Sequence, residues 1–136
     1  MPVGNACRRP VDPQCVASMV SETVSVLNTT RNTVLGERIG VAETSLTRVV
    51  GLLGKRGLEP GTGLLIIPSQ AIHTVAMKFP IDVLFVDKKW RVVHVRPAMP
   101  PYRLTGIHWK ARCVIELPSG RIAQTSTEVG DQLSVE

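Results

Sequence analysis

Apolar and polar positions alternate through much of this chain, with a period of about two rather than the ~3.6 of a helix. Val24 and Val26 against Thr23 and Ser25 predict a strand over residues 22–28, and a polar turn at 29–33 leads to a partner strand over 34–41. The pattern then changes. Ser45 can cap a helix whose Leu46, Val49, Val50 and Leu53 fall on one face, and Gly54 or Gly57 can end it. Gly61-Thr62-Gly63 turns the chain into a strand over 64–67, and strands over 73–78, 81–86 and 91–96 follow. Asp87-Lys88-Lys89 reads as a tight hairpin connection between the last two. Pro97, Pro100 and Pro101 have no N–H to give a ladder, so residues 96–101 are expected to leave the sheet as a loop. Residues 112–117 form the last long strand, 118–127 a turn with room for one helical turn, and 132–135 a terminal strand. About seven short strands with one or two short helices predict a mainly β (α+β) fold, a small barrel or curled sheet. Residues 1–20 are rich in proline and lack periodicity, which marks a flexible tail ahead of one β-rich domain over 21–136.

A few polar residues break the apolar runs between Leu64 and Val95: His73, Met77, Lys78 and Asp82. Asp82 opens the run Ile81 to Val86, where an ionised carboxylate is costly unless it is paired or hydrogen-bonded. It either holds the fold, by capping a turn or accepting backbone N–H groups, or it serves a ligand. Within its strand Asp82 shares a face with Leu84 and Val86, while Ile81, Val83 and Phe85 take the other. Both faces are apolar, so this strand is expected to be central and buried on both sides. Glu116 is a similar anomaly after Cys113, Val114 and Ile115, with Arg112 at the same parity as a possible ion partner. If Asp82 and Glu116 open at the same rim, they can hold a cation or a basic ligand, or carry out acid/base chemistry with His73.

Several stretches together resemble the bacterial and archaeal family called domain of unknown function 192. They are Gly51-Leu52-Leu53, Gly63 to Ile67, His73 to Met77, Ile81 to Asp87, Ala111 to Gly120 and Val129-Gly130-Asp131. The resemblance runs from about Val24 to the C-terminus. It implies a fold and brings no established activity. Where many members read Phe-Trp-Met, this chain has Thr74-Val75-Ala76-Met77, and the secretion signal that many carry is not recognisable in its first twenty residues.

Composition narrows the chemistry. A chain of 136 residues buries roughly two thirds of its unfolded surface without a disulfide staple. Cys7, Cys15 and Cys113 are odd in number and show no CxxC spacing, which suits reduced thiols in a cytoplasmic protein better than a disulfide framework or a zinc site. His73, Met77, Met99, His94 and Cys113 are soft donors, but they lack the tight repeats of a Cu(I) site, so no metal and no cofactor is expected. GxSxG, HExxH and phosphate-loop motifs are absent from the sequence. No run of about eighteen apolar residues could span a bilayer, and no membrane partner is expected.

Charge is uneven. Between Lys78 and Arg121 nine basic residues face three acidic ones, with Trp90, Tyr102 and Trp109 among them. Lys88, Lys89, Trp90, Arg91, Trp109 and Lys110 could in principle neutralise phosphates and stack bases. Lysines and arginines are also routine on the solvent faces of strands, so nucleic acid ranks below a small-molecule or protein partner. His94 and His108 are expected to face solvent. The reading is a binding or accessory module with a polar rim site built from His73, Met77, Lys78, Asp82, Arg112 and Glu116. The alternatives are a small hydrolase or lyase using Asp82, Glu116 and His73, and a basic nucleic-acid binding domain.

Overall fold

The computed structural model describes residues 22–42, 60–72, 79–101 and 103–136. Among them run β1 (Glu22–Asn28), β2 (Thr33–Ala42), β3 (Thr62–Ile66), β4 (Ile81–Val86), β5 (Val92–Met99), β6 (Cys113–Pro118), a short helix α1 (Arg121–Thr125) and β7 (Leu133–Val135). The expected helix after Ser45, the expected strand over 73–78 and the N-terminal tail lie outside the described residues. The strands form one sheet in the order β5-β4-β6-β3-β2-β1-β7. Neighbours are antiparallel except β2 and β3, which are parallel.

The sheet curls into a half-barrel until its edges touch. Arg91 bridges to Gln132, the Leu133 N–H donates to the Trp90 carbonyl at 2.8 Å, and the Val92 N–H donates to the Asp131 carbonyl at 2.9 Å. These bonds occupy backbone groups that an open edge would leave to other chains. A curled sheet of seven strands with one short helix is what the alternation predicts.

The two faces of the sheet bury different cores. One cluster takes residues from every strand, among them Val26, Leu35, Leu65, Leu84, Val92, Ile115 and Leu133, and is plugged by Ile122 of α1. A cluster that gathers all seven strands fills the inside of the curl. The other holds Leu64, Ile66, Ile81, Val83, Phe85 and Val114, covered by Ile72, Phe79, Met99 and Ala111. All six residues of β4 are therefore buried, as the apolar character of both its faces implies.

Two local features differ from expectation or sharpen it. The segment after Arg96 does not leave the sheet, since β5 continues to Met99. Ile81 pairs with Met99 and Val83 with Arg96, so Pro97 and Ala98 together face the one residue Asp82. This is a β-bulge. It absorbs Pro97, and it places Ala98 at φ 48°, a left-handed conformation that costs a non-glycine residue about 1–2 kcal/mol. At the β4–β5 turn, the Trp90 N–H donates to the Asp87 carbonyl at 3.0 Å. Asp87 Oδ1 accepts the N–H groups of Lys89 at 2.9 Å and Arg91 at 3.0 Å. Trp90 takes φ 62° where such hairpins usually place glycine.

Candidate functional site

Asp82 is wholly buried, and both of its oxygens bind backbone. Oδ1 accepts the Ala98 N–H at 2.8 Å, fixing the strained residue of the bulge. Oδ2 accepts the Ile122 N–H at 2.7 Å, at the start of α1. The residue that precedes this helix is Gly120, at φ 95°, which has no side chain with which to cap it. A carboxylate from β4 supplies the cap instead. Arg121 completes the attachment by donating through Nε to the Leu35 carbonyl at 3.1 Å and through a terminal nitrogen to the Val34 carbonyl.

Glu116 is equally buried, but it does not meet Asp82. In register, Asp82 pairs with Leu117, while Glu116 pairs with Val83 on one side and Leu64 on the other. Directly paired residues share a face. Asp82 therefore points to the interior of the curl, with Leu117 and Ile122, and Glu116 to the opposite face, with Leu64 and Val83. The sheet separates the two carboxylates, so they do not open at one rim as the sequence pattern suggests. Gly63 lies beside Glu116, and a Cβ there would collide with the Glu116 carbonyl oxygen. His73, Met77 and Lys78 lie outside the described residues.

The soft donors are separated as well. Cys113 packs inside the curl, whereas Met99 belongs to the outer cluster. Burial pushes the Cys113 thiol up to about 12, which removes it as a nucleophile near neutral pH. Among the described residues no three His, Cys, Asp or Glu side chains gather as a metal site would require. His94 and His108 do not simply face solvent. They are half-buried and stacked at 4.3 Å, with the Phe85 ring 4.1 Å from His108. Burial and the neighbouring His94 hold His108 below the usual histidine range.

Among the described residues a concavity lies at the other end of β4 from Asp82. Because β4 and β6 are antiparallel, with Val86 paired to Cys113, the residues that follow β4 sit beside those that precede β6. The Arg112 N–H donates to the Val86 carbonyl at 2.7 Å, and the Arg112 carbonyl accepts the Ser69 N–H at 2.9 Å. Between these segments opens a cleft of about 810 Å³ lined by Pro68, Ser69 and Gln70, by Asp87, Lys88 and Lys89, and by Lys110, Ala111 and Arg112. Four of its lining residues are cationic. The acidic one, Asp87, turns Oδ1 to its own hairpin. Of the residues expected at a binding rim, Arg112 lines this cleft. Trp90 packs half-buried against the interior core while Trp109 is exposed, so the two indoles do not form one stacking face.

Residues 26–135 match the family model of domain of unknown function 192, described as an uncharacterized ACR. The chain belongs to the DUF192 family. A UPF0127 protein of Thermococcus sibiricus is 31% identical over 119 residues, which is 82% of this chain and 74% of that one. A UPF0127 protein of Pyrococcus horikoshii is 30% identical over 111 residues, covering 79% and 96%. The fold is similar to that of a protein of unknown function from Novosphingobium aromaticivorans, with a TM-score of 0.68, 23% identity and coverage of 82% and 83%. It is also similar to a candidate transcription regulator of Sinorhizobium meliloti, with a TM-score of 0.69, 18% identity and coverage of 84% and 92%. At those identities the structural likeness bears on the fold alone.

One polar cluster of this DUF192 chain was not singled out from its sequence. Asp131 Oδ2 accepts hydrogen bonds from Asn28 Nδ2 at 2.9 Å, Arg31 Nε at 3.1 Å and the Glu128 N–H at 3.0 Å. Asn28 Nδ2 also donates to Thr127 Oγ1 at 3.1 Å. Burial raises the Asp131 carboxyl, but the bonds from Asn28, Glu128 and Arg31 outweigh it and leave the group below its ordinary range. The Val129-Gly130-Asp131 turn was the visible signal, and its partner Asn28 is 103 residues away. The cluster ties the β1–β2 turn to the segment before β7, which is a structural task.

Proposed function

We propose that the protein is a binding module for a small anionic ligand, held in the cleft at the end of β4. The observation that carries this reading is the convergence of Lys88, Lys89, Lys110 and Arg112, from two separate segments, on one cleft. Four like charges around a concavity repel one another and raise the local concentration of anions, and a bound anion relieves the repulsion. Arg112 contributes a planar fork suited to phosphate or carboxylate, and the lysines act as point charges. The binding-module reading of the sequence is kept, and its site moves from the Asp82 end of the central strands to the Arg112 end. Family membership assigns no activity.

Calorimetric titration with inorganic pyrophosphate at low salt tests the proposal. Binding is expected, together with a rise in melting temperature, and Lys88→Glu combined with Lys110→Glu should weaken it by about tenfold or more. These side chains are exposed, so the variant should melt near the parent. An absence of binding, or binding indifferent to the charge reversal, would exclude the cleft as an anion site.

A further inference from the structure

The described residues leave five large apolar side chains exposed, and three of them lie within six positions. Leu104 is 72% exposed, Ile107 56% and Trp109 76%. Their loop is not slack. The Thr105 N–H donates to the Ile72 carbonyl at 3.0 Å, and the His108 N–H to the Gln70 carbonyl at 2.9 Å. The Ile72 N–H donates to Thr105 Oγ1 at 2.9 Å, and Gln70 Nε2 to the Trp109 carbonyl at 3.1 Å. Thr105 and His108 are thus anchored to the body, with His108 stacked on His94 and tilted against Phe85. Ile107 lies between these anchors and Leu104 and Trp109 flank them, all three exposed to water. Exposure above one half means that these side chains project from the surface instead of lining a groove. A loop already fixed in place loses little conformational freedom when it docks.

Along the sequence of this loop the charge has one sign. Arg103 precedes it, Lys110 and Arg112 follow it, and residues 100–112 contain no acid. Lys88 and Lys89 stand across the adjoining cleft from Lys110. We propose that the loop over 103–112 is a peripheral docking surface for an anionic lipid bilayer. Leu104 and Ile107 would enter the boundary between head groups and acyl chains, with Trp109 at the interface that indoles prefer. The surrounding lysines and arginines would stay among the acidic head groups. A broad anionic plane satisfies cations on both flanks of the apolar residues at once, which favours a bilayer over a protein groove. The proposed contact is peripheral, made by loop side chains, and no described helix is long and apolar enough to cross a membrane.

Cosedimentation of the full chain with phosphatidylcholine vesicles, with and without about one part in three phosphatidylglycerol, tests the surface. Sedimentation with the anionic vesicles only is expected, with a blue shift in tryptophan emission. The shift should vanish in Trp109→Phe, because Trp90 is already half-buried. Leu104→Ser combined with Ile107→Ser should reduce binding by about tenfold or more. Since the altered side chains are exposed, the melting temperature should hold. Failure to sediment with anionic vesicles at low salt overturns the proposal, as does binding unchanged in both variants, which would reflect charge attraction alone. The cleft reading is tested separately, because pyrophosphate binding should survive Leu104→Ser combined with Ile107→Ser, whereas vesicle binding should not.

Discussion

Removing the Asp82 carboxylate would take the partner from two backbone N–H groups, the buried one of Ile122 and the part-buried one of Ala98. One belongs to a left-handed alanine in a bulge and the other to the first turn of a helix that has no cap of its own. An unsatisfied buried donor costs about 1–3 kcal/mol, so Asp82→Ala should lose roughly 2 to 4 kcal/mol of stability. Asp82→Asn should lose less, because one oxygen remains to accept. Urea denaturation followed by far-UV dichroism measures both, and a parent-like midpoint for Asp82→Ala would mean that neither bond contributes. The burial of Asp82 was legible from the six apolar-flanked residues of its strand. Its relation to Glu116 was not. Parity assigns faces within one strand, but a slip of one residue between strands exchanges them. The β4–β6 register is set across the whole connection 87–112, which no local pattern reveals.

At the scale of elements, the proline-rich end of β5 shows why a local rule can hold while its conclusion fails. Pro97 indeed gives nothing to a ladder, yet a bulge lets the strand pass it and pair Met99 with Ile81. The other device at this scale is the knot between the β1–β2 turn and the segment before β7. The folded Asp131 carboxyl binds its proton less tightly than an unfolded aspartate near 3.8. Its contribution is therefore complete above that value and is lost as pH falls through it toward the lower folded value. Asp131→Asn should flatten the acid limb of the stability profile as pH falls through and below the ordinary aspartate value of 3.8. Asn28→Ala, which removes a donor to Asp131 and to Thr127, should flatten it in part while lowering stability at neutral pH. Denaturant midpoints measured from neutral pH down the acid limb decide the matter, and a limb as steep as the parent's in Asp131→Asn would rule the carboxylate out as its source.

Over the whole molecule, the excess of basic residues between Lys78 and Arg121 was legible as a count, but its shape was not. Antiparallel pairing of β4 with β6 gathers Lys88, Lys89, Lys110 and Arg112 at one end, and places the Arg91 backbone in a bridge to Gln132 at the seam of the curl. Trp90, an expected stacking residue, is committed to the interior core. A cleft with four cations can meet a few phosphates. Single-stranded nucleic acid engaging it would release counterions for only about four phosphates, so affinity should fall by less than about a hundredfold between ~50 and 200 mM salt. Such binding should also be displaced by inorganic pyrophosphate, since both would occupy the same cations. Fluorescence anisotropy of a labelled oligonucleotide, repeated across salt and with competing pyrophosphate, measures the slope and the displacement together. A loss of several orders of magnitude over that range, or binding that pyrophosphate leaves untouched, would mean that a wider basic face is engaged and that the cleft is not the primary anion site.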